Sequence, residues 1–213
     1  MIRAILIDFD GVIRRWDAAY DDGLMRAMGL PIDVIGRIAF DDDLLTAAVT
    51  GRITDEEWRD RVVERLARLY PALDARAAVA AWSRPIGHVN EPVRALVASW
   101  RRRVPVALVS NATSRLPADL DALGLTGAFD VVVNSSAIGV AKPDPAIFRD
   151  ALDRIGARPE ETLLIDDTAS HLAAARQLGL QTVHFTGDVD GLRAFVAERL
   201  APPEGDRERG ALR

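Results

Sequence analysis

Lys142 is the only lysine among 27 basic residues. It lies in Gly139-Val140-Ala141-Lys142-Pro143-Asp144-Pro145, a segment too rich in Gly and Pro for a helix interior. In a chain that otherwise uses arginine, this points to a place where a broad planar fork cannot serve. A compact ammonium can sit against one oxyanion or carboxylate there. The carboxylates that could meet it stand at the ends of short apolar runs: Asp8 and Asp10 after Ala4 to Ile7, and Asp166 and Asp167 after Thr162 to Ile165. Ser110 and Asn111 close a third run that begins at Val104. Four carboxylates brought together repel one another, and a hard divalent cation with Lys142 as a local countercharge would hold them. Magnesium suits a donor set made of oxygen, with no soft ligand at hand. Any one Asp at a strand end also fits a turn or a helix N-cap, so the set as a whole carries the expectation.

For these residues to converge, particular elements must position them. Ala4 to Asp8, Val104 to Ser110, Phe129 to Asn134, Thr162 to Asp166 and Gln181 to Phe185 are brief, apolar and β-branched, as strands buried on both faces are. Amphipathic stretches separate them: Pro92 to Arg101, Pro145 to Ile155, Ser170 to Leu178 and Asp190 to Leu200. The alternation predicts an α/β fold, a doubly wound parallel sheet of five strands with helices on both sides. Ligands bind such sheets outside the carboxyl ends of the strands, where these polar residues fall. One interval breaks the alternation. From Arg15 to Val89 the patterns are helical with no convincing strand, and a loop of that length needs a fold of its own. Thr54-Asp55-Glu56-Glu57 reads as a capping box opening a helix whose apolar face is Trp58, Val62, Leu66 and Leu69. The predicted organisation is a core of 1–14 and 90–201, a helical insertion of 15–89 and a tail of 202–213.

Composition narrows the classes. The 213 residues are 49% hydrophobic, enough for a substantial core. The net charge of -5 and low aromatic content argue against nucleic-acid partners. Nothing approaches the roughly 18 apolar residues of a membrane span, and the first residues do not read as a signal peptide. The absence of cysteine excludes disulfides and thiolate metal sites and fits a cytoplasmic setting. The expected state is a monomer or homodimer.

Asp8-Phe9-Asp10-Gly11-Val12, Val109-Ser110-Asn111, Lys142-Pro143-Asp144 and Ile165-Asp166-Asp167 together resemble the four motifs of the haloacid dehalogenase superfamily. The resemblance runs from Ile2 to about Phe185, and the helical insertion is similar to the type 1 cap of subfamily I. It implies a Rossmann-like core and a magnesium-dependent phosphatase acting on a small phosphate ester. Asp8 is then the nucleophile that forms an aspartyl-phosphate. Asp10 protonates the leaving alkoxide and later deprotonates water, and Lys142 offsets developing charge. Ser110 joins them as a catalytic residue holding a phosphoryl oxygen. Gly11, Asn111 and Arg14 are expected at the substrate. The metal set is Asp8, the Asp10 carbonyl and Asp167, with Asp166 in support.

Asp10 favours phosphoryl chemistry over 2-haloacid dehalogenation, because halide leaves without a proton. A phosphomutase shares the same first steps, and a catalytically silent binding module on this fold is the reading from another class. Two residues depart from the family pattern. His171 stands where Asp or Asn is common, and Val12 where Thr is. Arg14, Arg15, Trp16, Arg52 and His88 are the candidates for substrate specificity. A lysine in a polar cleft is expected to add little to core packing, so its removal should leave folding intact.

Overall fold

The structure is a computed structural model that describes residues 1–200; the expected tail at 202–213 lies outside them. The chain opens with β1 (Ala4–Ile7), turns through Asp8 to Ile13, and forms the two-residue β2 (Arg14–Arg15). Five helices follow: α1 (Ala18–Ala27), α2 (Val34–Ala39), α3 (Asp42–Val49), α4 (Asp55–Leu69) and α5 (Ala75–Trp82). Next come β3 (His88–Val89), α6 (Glu91–Trp100), β4 (Val106–Ser110), α7 (Leu116–Ala122), β5 (Val131–Asn134), α8 (Ser135–Ile138) and α9 (Pro145–Ile155). The last elements are β6 (Thr162–Asp166), α10 (Ala169–Gln177), β7 (Gln181–His184) and α11 (Val189–Arg199).

The strands β5-β4-β1-β6-β7 form one parallel sheet in that order, as the alternation predicts. β1 is central, paired with β4 on one side and β6 on the other, and all four of its residues are buried. The period of two then divides them: Ile5 and Ile7 join one apolar layer with Val97, Trp100 and Phe185, and Leu6 joins the other with Val109, Phe148 and Leu152. The chain builds outward from β1 through β4 to β5, then returns to β6 and β7 on the opposite side. The switch point therefore lies between β1 and β6, and Asp8 and Asp166 emerge beside it. Local chemistry sets the helix bounds. α9 starts where Asp144 accepts from Ala146 N (2.8 Å) ahead of Pro145, and it stops at Gly156 with φ 67°.

α1 to α5 pack around a separate hydrophobic cluster built on Ile35, Ala48, Trp58, Val62 and Leu66. Both halves of the capping box on α4 are formed: Thr54 N donates to Glu57 (2.8 Å) and Glu57 N to the Thr54 hydroxyl (3.2 Å). Such a cap stabilises a helix by about 1 kcal/mol, and burying Val62 and Leu66 adds roughly 1.5–3 kcal/mol for each side chain. Leu69, expected on the same face, is instead 62% exposed, because the helix ends there and the cluster has already closed. The interval also carries a strand pairing that its sequence pattern hides. β2 and β3 form a short antiparallel ribbon, Arg14 opposite Val89 and Arg15 opposite His88, at the two ends of the helical segment.

The helical segment docks on the core through polar contacts. Asp55, buried at the start of α4, donates its N–H to Ser114 (2.9 Å) and accepts from the Thr113 hydroxyl (2.8 Å). Gly51 approaches so closely that a Cβ there would lie 2.0 Å from the Ser136 carbonyl oxygen. Its positive φ of 68° adds a second reason for glycine.

Candidate active site

The carboxyl ends of β1, β4 and β6 and the loop before α9 meet at Lys142. Its ammonium lies 2.7 Å from Asp8 Oδ1 and 2.8 Å from Asp166 Oδ2. The cluster is buried: Asp8 is 6% exposed, Lys142 4% and Asp166 not at all. The expectation of a lysine in a polar cleft is therefore corrected: the side chain is buried against two carboxylates. Asn111, just past β4, holds the loop in place. Its side chain accepts from Lys142 N (2.7 Å) and donates to Lys142 O (2.8 Å), so both of its polar groups are engaged by the lysine backbone. Asn111, expected at the substrate, makes both of these bonds to the Lys142 backbone. Ser110, the last residue of β4, is buried beside it.

Burial makes the charges unequal. It is the largest influence on Asp8 and pushes that carboxyl up to about 6, with Lys142 opposing and Asp166 reinforcing the rise. Burial also disfavours the Asp166 carboxylate, but a hydrogen bond from His171 and the Lys142 charge outweigh it and hold Asp166 below the usual range. Lys142 itself is raised, since its two carboxylates overcome the penalty of burial. His171 Nδ1 lies 3.0 and 3.1 Å from the two Asp166 oxygens, and its side chain is mostly buried at the start of α10. Asp8, Asp166 and His171 present ligand atoms within 4.8 Å of one another, a grouping that could hold a cation. His171 thus belongs to the cluster, and its only signal in the sequence was its place four residues after Asp167.

Asp8 Oδ1 accepts from Phe9 N (2.7 Å) and pairs with Lys142, and among the described residues Oδ2 accepts no hydrogen bond. Asp167 approaches the same turn at Gly11. A Cβ on Gly11 would lie 1.9 Å from Asp167 Oδ2, and Gly11 has φ 81°. Only glycine lets the loop and this carboxylate come so close. The acidic side chains near this turn, Asp8 and Asp167, offer oxygen, the donor type that a hard divalent cation takes. The position between Asp8 and Asp166 is already filled by the ammonium.

Asp10 is turned toward the ribbon rather than toward Lys142. Its carboxylate accepts from Arg14 Nε (2.7 Å) and Nη2 (2.9 Å) and from the Trp16 indole (2.8 Å). Arg14 is buried, with Phe9 and Trp16 rings each 4.4 Å from its guanidinium carbon, and its Nη1 donates to Asp119 (2.7 Å). Arg115 binds the same Asp119 at 2.8 Å. Burial works against the Arg14 charge, but Asp10 and Asp119 prevail and raise its pKa. Arg14, expected at the substrate, is thus engaged by two carboxylates. Asp119, 105 residues away, has no recognisable motif around it. Arg52 bonds Thr50 (3.1 Å), and His88 is exposed on β3. An open cleft of about 410 Å³ runs past this region, lined by Gly11, Arg15, Trp16, Asp167, Phe185, Thr186 and Gly187.

Known proteins share this fold. Phosphorylated carbohydrates phosphatase of Thermotoga maritima is 26% identical over 219 residues, which is 95% of this chain and 95% of that protein. A shorter match, 42% identical over 55 residues, is to bifunctional epoxide hydrolase 2 of Sus scrofa. It covers 26% of this chain and 10% of that protein, a small part of the relative's length. Among solved structures, a HAD family enzyme of Bacteroides thetaiotaomicron in complex with magnesium and inorganic phosphate superposes with a TM-score of 0.71. It shares 23% identity over 88% of this chain and 96% of that one, a likeness of fold. The family model for haloacid dehalogenase-like hydrolases matches residues 2–179, and the chain belongs to that hydrolase family.

Proposed function

We propose that this enzyme is a magnesium-dependent phosphatase that hydrolyses a small phosphate ester through an aspartyl-phosphate on Asp8. The observation that carries the reading is the state of the Asp8 carboxylate. One oxygen is fixed by Phe9 N and Lys142, and the other accepts no hydrogen bond among the described residues and is the one to attack phosphorus. Lys142 offsets negative charge on Asp8 and the transferring group from a dry site, where a fixed charge acts strongly. Asp10, two residues along the turn, is the acid that protonates the leaving alkoxide and then takes a proton from water. Its hydrogen bonds to Arg14 and Trp16 hold its carboxylate in one orientation beside the ribbon. Ser110 and the backbone amides after β4 are assigned to a phosphoryl oxygen.

Asp8, the Asp10 carbonyl and Asp167 are the residues that would hold magnesium, with Asp166 and His171 supporting Lys142 from behind. When bound, the ion supplies positive charge to the phosphoryl oxygens. The segment 15–89 is assigned as a cap, which its separate apolar cluster and its attachment through β2 and β3 support. The phosphatase relative supports a phosphate ester as substrate, and the cysteine-free composition supports a reducing, cytoplasmic setting.

The test is steady-state turnover of an aryl phosphate with magnesium and after exhaustive chelation. Magnesium-dependent release of phosphate is the expected result. Metal-independent release of halide from a 2-haloacid, with no phosphate released from the ester, would replace this reading with dehalogenation.

A further inference from the structure

Arg14 and Arg15 are adjacent on β2, and strand alternation sends their side chains opposite ways. Arg14 goes inward to Asp10 and Asp119. Arg15 goes outward into the cleft beside Gly11 and Asp167, and its side chain makes no hydrogen bond or ion pair among the described residues. The chain is acidic, with 32 Asp and Glu against 27 basic residues. Nearby arginines find carboxylates, as Arg14, Arg59 and Arg115 do. The backbone leaves room for its head: Gly187 has φ 95°, and a Cβ there would stand 3.3 Å from Arg15 Nη2. The half-exposed Trp16 and the loop from Phe185 to Gly187 complete the walls.

The cleft has the volume of a small-metabolite site, and its Gly11 side is the turn that carries the nucleophile. Its charged linings are Asp167, assigned to the cation, and Arg15, which the phosphoryl chemistry leaves unused. We propose that Arg15 reads a second anionic group on the substrate, so that the enzyme prefers phosphate monoesters carrying a carboxylate or another phosphate at the end remote from the scissile bond. The planar guanidinium fork offers paired N–H donors to either anion. This rests on the assignment of the phosphoryl group to Asp8, and Arg15 is a specificity residue within that assignment.

Calorimetric binding to the magnesium-loaded full chain tests it, with three non-hydrolysable ligands: propylphosphonate, 3-phosphonopropionate and propane-1,3-bisphosphonate. Wild type should bind one or both of the ligands with a second anionic end about tenfold or more tightly than propylphosphonate, as a charge-assisted contact implies, and the two arms tell carboxylate from phosphate. Arg15→Ala should bring the ratio to within about twofold, and Arg15→Lys should restore part of it. No preference in wild type overturns the proposal, and so does a ratio unchanged in Arg15→Ala, which would put Arg15 on the phosphonate itself. Failure to bind any phosphonate overturns it as well. Aryl phosphate turnover with magnesium, measured on the same samples, is independent of the second anion. If it persists while the preference is absent, the specificity inference fails and the phosphatase reading stands.

Discussion

Replacing Lys142 by Met should destabilise the metal-free protein by about 3–5 kcal/mol, the usual cost of removing one partner from a buried ion pair. Methionine keeps most of the side-chain volume, so the loss isolates charge from packing. The ammonium lies 2.7 Å from Asp8 and 2.8 Å from Asp166, and both carboxylates are buried. Asp166 retains His171 and Thr168 N as hydrogen-bond partners, whereas Asp8 keeps only Phe9 N, so the uncompensated charge falls mainly on Asp8. Adding Asp8→Asn to Lys142→Met should therefore recover about half of the loss or more.

The pH dependence has a definite sign. The folded-state pKa of Asp8 is already about 6, against an ordinary value of 3.8, and without the lysine it rises further. Between those values the folded protein binds the proton more tightly than the unfolded chain, so stability falls as pH rises. The deficit of Lys142→Met relative to wild type should accordingly shrink between pH 7 and pH 5. Urea unfolding in EDTA at both pH values, with the single and double variants, measures all of this. The reasoning fails if Lys142→Met matches wild type at pH 7, or if its deficit is the same at both pH values and in the Asp8→Asn background. Lys142→Arg preserves charge, but a fork cannot fit between two carboxylates spaced for a single nitrogen, and turnover should fall at least about a hundredfold.

Four further outcomes follow from the site. Asp8→Asn should lower turnover roughly a thousandfold or more, while Asp10→Asn should accumulate a covalent aspartyl-phosphate in rapid-quench experiments; its absence there would remove Asp10 from water activation. Calcium should inhibit, because it accepts more oxygen ligands in looser geometry and can engage both oxygens of Asp8, so a rate in calcium equal to that in magnesium would count against Asp8 as a metal-bound nucleophile. Asn111→Ala frees the Lys142 backbone and should cost about 1–3 kcal/mol in stability with a marked fall in kcat; an effect confined to KM would return Asn111 to the substrate.

Features that depend on neighbours in sequence are legible in the amino-acid order itself. The Asp8 to Gly11 turn and the capping box at Thr54 each rest on contacts within a few residues. The parallel sheet is legible too, because buried strands alternating with amphipathic helices admit few other arrangements. Arg14 and Arg15 cannot be told apart in this way. Their opposite directions depend on pairing with His88 and Val89 across the whole helical segment, and two residues are too short for a period to register. Asn111 reads as a substrate ligand in the sequence, yet its side chain binds the Lys142 backbone 31 residues away. Asp119 reaches Arg14 across 105 residues from within a helix of ordinary composition. Side-chain chemistry and strand-end position named Lys142 and its carboxylates from the sequence alone. The folded structure decided how deeply they are buried and which polar groups remain free, because burial and pairing depend on segments that only folding brings together.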